Sequence, residues 1–195
     1  MLSAKKAQKQ RTHVDILSSA AHLLRMRGIV GTSILDVMKR TGLTVGGFYA
    51  HFRSKDDLIE DVLRLTLAEL RSSLMAGLDD KTSAQRIETM LKRYLSTDHR
   101  DNPGTGCPLP SVAGEIATGA APHREYLAEA LSGWADDIAR DAPSVRHISS
   151  RQVSLAMIAL MFGGLCLARA VRDTPLSDEI LRACKALGKL PLGAA

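Results

Sequence analysis

The sequence predicts an all-α protein of about nine helices, because apolar residues recur at helical spacing along the chain and no period-2 apolar run survives inspection. A repeated start signal supports this. Ser33 with Asp36, Ser54 with Asp57, Thr82 with Gln85 and Ser149 with Gln152 each set a hydroxyl three residues before a carboxylate or amide, the pattern of a capped helix N-terminus. The third observation is size: 195 residues with an apolar share of 45% are enough to bury a core in one large or two small domains.

The first helix carries Val14, Leu17, Ala21 and Leu24 as a stripe, with Ile16, Ala20 and Leu23 beside it, and Gly28 ends it. Thr12 with Asp15 is its cap signature, although Ala4 to Gln10 are good helix formers and allow an earlier start. Ahead of it Lys5, Lys6, Lys9 and Arg11 form a basic arm suited to phosphates or a minor groove. The second helix is short, with Ile34, Val37 and Met38 on one face and Lys39 and Arg40 outward. Gly42 supplies a turn, Leu43 buries the corner, and Thr44 caps a third helix over Val45 to His51. Glycines at 46 and 47 are poor helix formers, so close approach of backbone to something else explains them better than propensity does. This succession has the shape of a helix-turn-helix.

The fourth helix, capped at Ser54, holds register through Ile59 and Leu74 to about Gly77, a rod of roughly 35 Å. A fifth follows Thr82 with Ile87, Met90, Leu91, Tyr94 and Leu95 on one face. The stretch DHRDNPGTGCPLP reads as a loop, rich in Gly and Pro. Then come a short helix over Ser111 to Thr118, one from His123 to Arg140, an apolar one to Val171, and a last one from Ser177. Val153 to Ala168 is apolar, but its 16 residues fall short of the ~20 that span a bilayer, so no membrane partner is expected.

The residues Gly28, Thr32-Ser33, Asp36-Val37, Gly42-Leu43-Thr44, Gly46, Phe48-Tyr49, His51-Phe52, Ser54-Lys55 and Leu58 resemble, in order, the TetR family of bacterial transcription regulators. The resemblance covers roughly the first 50 residues and is more specific than a short motif. It implies a helix-turn-helix DNA-binding domain over residues 1–54 and a helical effector-binding and dimerisation domain over 55–195. Expected DNA contacts are Ser33, Lys39, Thr44, Val45, Gly46, Gly47, Tyr49, His51 and Lys55, with Phe48 and Phe52 as core anchors. Relatives often carry a polar or basic residue where this chain has Val45, which can touch a thymine methyl but cannot hydrogen-bond a base. The implied partners are a double-stranded DNA operator, a second copy of the chain and a small hydrophobic or electrophilic effector that releases a repressor from its palindrome.

Two helix stripes suit dimerisation: Val153, Met157, Leu160, Gly164, Leu167 and Val171 on the apolar helix, and Ile180, Leu181, Cys184 and Leu187 on the last. The effector candidates are Met90, Tyr94, Trp134, Met157, Met161 and Phe162, a Met-rich apolar set that core packing would explain equally well. Cys107 joins them. The segment GCPLPSVAGE resembles the Gly-Cys segment of NemR-like members of the family, and a thiol at a helix start with Pro108 at its first position is either an electrophile sensor or a small buried residue.

Charge agrees with a polyanionic partner. Residues 1–55 hold 10 Lys and Arg against Asp15 and Asp36, whereas the rest of the chain is net acidic, so the overall +5 comes from the N-terminal quarter. Three scattered cysteines exclude a disulfide framework and a CxxC metal site and fit a reducing cytoplasm. No phosphate-binding Gly loop, HExxH or paired His/Cys spacing is present, so neither an enzyme nor a cofactor is expected. The alternative is a helical interaction module whose basic face merely keeps it soluble.

Overall fold

A computed structural model describes residues 2–119, 121–145 and 147–189. Among these, ten α-helices and two short 3₁₀ turns account for the regular structure, and no strand occurs. The helices are α1 (Leu2–Arg27), α2 (Ile34–Arg40), α3 (Val45–Phe48), α4 (Lys55–Met75), α5 (Ser83–Tyr94), α6 (Thr97–Asp101), α7 (Leu109–Thr118), α8 (Arg124–Ala139), α9 (Ser150–Ala170) and α10 (Pro175–Lys189). The all-α expectation holds. Each of the nine expected helices appears, and α6 is an addition inside the expected loop, started by the Ser96 hydroxyl accepting the His99 N–H.

The caps act as their spacing requires. Ser33 accepts the Asp36 N–H, Ser54 the Asp57 N–H, and Thr82 and Ser149 form full capping boxes with Gln85 and Gln152. Gly28 and Gly42 take φ of +72° and +70°, the left-handed conformation that lets a chain leave a helix sharply. The exceptions are local. α1 begins at Leu2 rather than Thr12, so the basic arm is helical: Ala4 to Gln10 propagate a helix that is already nucleated. α3 stops at Phe48, short of His51, because the Tyr49 N–H turns back to the Gly47 carbonyl. Pro108 takes the N-cap of α7, not its first position, and Pro110 lies in the first turn.

By packing, the described chain divides into two compact units. The first joins residues 1–67 with 107–126, so α7 packs with the N-terminal helices rather than with the helices on either side of it in sequence. Its core holds Ile16, Leu24, Val37, Met38, Phe48, Phe52, Ile59, Leu63, Val112 and Ile116. The second unit, which among the described residues comprises 68–106, 127–145 and 147–189, is built around α9, against which α5, α6 and α10 pack. α9 is 21 residues long, which corrects the length argument made from sequence, because by length and composition alone it could cross a membrane. Its burial gives the better account: Val153, Ser154, Met157, Ile158, Met161, Leu165 and Ala168 are all enclosed within the chain. α6 is tied to both α9 and α10. Arg169 donates to the carbonyls of His99 and Arg100, and Arg100 reaches from α6 to Ser177 and Asp178 of α10.

Candidate nucleic-acid interface

The reader is built from one buried ring and what surrounds it. Phe48 is fully buried, with Phe52 stacked 5.5 Å away and Tyr49 edge-on at 5.2 Å. Because α3 is a single turn with two glycines, its own hydrogen bonds do little to hold it, and Phe48 anchors it instead. The opposite face is open: Thr44, Val45, Gly46 and Tyr49 are exposed, and Tyr49 keeps 63% of its surface in solvent. Tyr49 is therefore not a core aromatic: its phenol faces solvent, where a hydroxyl can donate to an anionic partner.

Of the expected contact residues, Lys39 is exposed in the last turn of α2 and Lys55 opens α4 half-buried. Thr44 occupies the N-cap of α3 without making a capping bond, which leaves its hydroxyl for a partner. Ser33 is differently occupied. It accepts from the Asp36 N–H and donates to the Asp36 carboxylate, so its only proton is already engaged. Gly46 and Gly47 would admit a methyl without collision: the nearest atoms to an added Cβ are the Thr44 Oγ1, at 4.0 and 3.9 Å, and the Met38 methyl, 3.8 Å from that of Gly47. Among the described residues, nothing requires those glycines.

His51 was placed by sequence, whereas its neighbour His13 was missed. The His13 ring stacks on Phe52 at 4.7 Å and lies 5.8 Å from the His51 ring. Burial first, then the nearby His13 and Lys9, push the His51 imidazole below its ordinary value, which favours the neutral ring in this cluster. A phosphate would reverse that balance.

In the second unit the expected effector residues Met90, Tyr94, Trp134, Met157 and Met161 are buried, and Phe162 is half-buried. Met157 lines a cavity of about 580 Å³ together with Ala84, Ile87, Pro143 and Val153, with Ser83, Glu88, Asp141 and Lys189 among its polar lining. Lys189 and Lys92 both bond Glu88 and hold its carboxyl at about 2, so the Glu88 charge is fully engaged there. Cys107 lies in the other unit and is fully buried, which fits the small buried residue of the two alternatives its place at a helix start left open.

The dimer stripe also divides. Val153, Met157, Gly164 and Leu181 point into the chain's own core, and the Cβ that Gly164 lacks would lie 2.7 Å from the Cys184 sulfur. That glycine serves packing within the chain, not approach of a partner. Leu160, Val171, Ile180 and Cys184 are half-buried, and Leu167 and Leu187 are exposed. The open face of α9 lies a little round the helix from the predicted one, through Leu155, Ala159, Gly163 and Leu167.

Comparison with known proteins agrees with this geometry. The model for bacterial regulatory proteins of the tetR family matches residues 16–62, and that for the tetracyclin repressor-like C-terminal domain matches residues 83–184. The chain belongs to the tetR family. It is a DNA-binding transcription regulator, not an enzyme. The regulator LmrA of Bacillus subtilis is 26% identical over 166 residues, 83% of this chain and 88% of LmrA. The repressor KstR2 of Rhodococcus jostii is 27% identical over 95 residues, 47% of each chain. Among solved structures, a TetR regulator from Chloroflexus aurantiacus superposes with a TM-score of 0.79 at 25% identity, covering 94% of both chains. Escherichia coli NemR in its reduced form gives 0.79 at 19% identity, covering 95% of this chain and all of NemR, a likeness of fold.

In this tetR-family chain, two side chains that spacing did not mark as functional bear on the reader. His13 carries no sequence signal, because only the fold brings α1 beside Phe52. Glu115 was legible only as the last residue of GCPLPSVAGE.

Proposed function

We propose that the protein is a cytoplasmic repressor that binds a near-palindromic operator as a homodimer and is released by a small apolar effector held reversibly in the second unit. The observation that carries the DNA-reading part is the pairing of a buried Phe48 anchor with an open face of Thr44, Val45, Gly46 and Tyr49 beside Lys39. Val45 offers a methyl contact and no hydrogen bond, so affinity leans on phosphate contacts and on two readers spaced by a dimer. The dimer face is the exposed stripe Leu155, Ala159 and Leu167 with Leu187 of α10, and half-buried Gly163 lies between them, where an added Cβ meets no atom within 4 Å. Relatives named as repressors, the KstR2 proteins, support the direction of control. Reversible binding is favoured over a thiol switch by the burial of Cys107 and by a cavity of ligand size with an apolar wall of Ala84, Ile87, Val153 and Met157.

Selection of duplexes from a random pool, followed by sedimentation of the complex, tests this reading. Two inverted half-sites bound by two chains are expected, with affinity falling steeply as salt rises. A monomer on DNA, or no enriched sequence, would refute it.

A further inference from the structure

The segment GCPLPSVAGE is not absorbed by the DNA-reading site or by the cavity, yet its helix is tied directly to the start of the reader. α7 packs along the end of α1, and the Glu115 carboxylate accepts two consecutive backbone N–H groups, from Ile29 at 2.5 Å and Val30 at 3.2 Å. These are the donors left exposed when Gly28 turns left-handed at φ +72° and the chain leaves α1, a small anion-binding concavity of the kind successive amides form. One helical turn earlier on α7, the Ser111 hydroxyl donates to the Arg25 carbonyl at 2.5 Å, satisfying an acceptor in the last turn of α1. The two side chains, four residues apart on one face, therefore clamp both sides of the same helix end.

Gly28 is required twice over here. Beyond its positive φ, an added Cβ would lie 2.6 Å from a Glu115 carboxylate oxygen and 2.7 Å from the Ser111 carbonyl oxygen. From the clamped turn a continuous set of bonds runs into the reader. The Thr32 hydroxyl donates to the Gly28 carbonyl at 2.6 Å, Ser33 caps α2, and the Ser19 hydroxyl of α1 donates to the Val37 carbonyl within α2. α2 in turn packs on α3.

We propose that Glu115 is a positioning residue for DNA reading: through it α7 holds the turn between α1 and α2, so that displacement of α7 moves the operator-reading helices. α7 is reached along the chain from Gly106, where the second unit gives way to the first, and it offers a route into the reader besides the continuous helix α4. The proposal rests on the protein reading DNA and adds the residue through which that reading is set.

The test uses the full-length chain, a duplex selected by the wild-type protein from a random pool, and a scrambled duplex of equal length. Affinities for both are measured by fluorescence anisotropy at a temperature where circular dichroism shows each variant folded. Glu115→Ala is expected to lower the selected-to-scrambled affinity ratio about tenfold, the scale of a lost charge-assisted bond. Amide exchange at Ile29 and Val30 should quicken. Glu115→Gln, which keeps one acceptor oxygen, should restore part of the ratio, and Ser111→Ala should lower it less than Glu115→Ala. Should Glu115→Ala not fold, the Gln and Ser111 variants carry the same comparison. An unchanged ratio overturns the proposal even if the amides exchange faster, and so does an equal loss on both duplexes, which is what mere destabilisation produces. Failure of the wild-type protein to select any duplex is a separate result and overturns the DNA-reading premise itself.

Discussion

Replacing Gly46 by Ala should make the protein more stable and its DNA binding weaker, a combination that separates a glycine kept for DNA from one kept for the fold. Gly46 lies in the single turn of α3 and is not among the glycines with positive φ, so alanine fits its backbone. The added Cβ would find only the Thr44 hydroxyl, at 4.0 Å, which is ordinary contact distance. The substitution thus creates no clash, and helix propensity favours alanine by up to about 1 kcal/mol. A gain of that size raises the melting temperature by about 2–8 °C for a domain of this scale. On DNA the sign reverses. If the backbone of the turn sits against base edges or sugar, a methyl there overpacks the contact and costs about 1–3 kcal/mol, roughly a 5- to 150-fold loss of operator affinity. Thermal melting by circular dichroism and anisotropy on a selected duplex measure the two effects. An affinity equal to or better than wild type would show that the glycines do not serve close approach.

Four further substitutions and a pH titration probe the remaining parts of the site. Tyr49→Phe should weaken selected and scrambled duplexes alike, by up to about tenfold, while leaving stability unchanged because the phenol is exposed; a loss confined to the selected duplex would make Tyr49 a base reader instead. Operator affinity should rise as pH falls from about 7.5 to 5.5, because His51 is held below its ordinary value in the free protein and a phosphate raises it. Between those two values the complex binds a proton that the free protein does not, so acid favours the complex; His51→Gln should flatten the profile, and a profile that keeps its slope in that variant refutes the assignment. Leu167→Glu should convert a sedimenting dimer to monomer and abolish tight operator binding, since the leucine is 59% exposed on the open face of α9. Val153→Ala, within the core, should lower stability by about 1–2 kcal/mol without dissociating the chains; the reverse pattern would return the interface to the buried stripe.

What could be derived from the sequence by itself was local. Helix starts at Ser33, Ser54, Thr82 and Ser149, the turns at Gly28 and Gly42, and the anchoring of the reader by Phe48 depend on residues within a few positions of one another, where hydroxyl caps, positive φ and helical periodicity act directly. The family of the chain followed from the same short-range order of residues. Tertiary structure alone decided which face of each apolar helix is spent inside. α9 is apolar nearly all round, so its periodicity could not distinguish Val153 and Met157, which it buries, from Leu155 and Leu167, which it leaves open. Burial likewise decided Cys107, whose position at a helix start suggests reactivity only if solvent can reach it. The bond between Glu115 and the turn at Ile29 and Val30 spans 86 and 85 residues of sequence, and no spacing rule reaches that far. It exists because a left-handed glycine exposes two amides at the end of α1 and the packing of α7 brings a carboxylate to them.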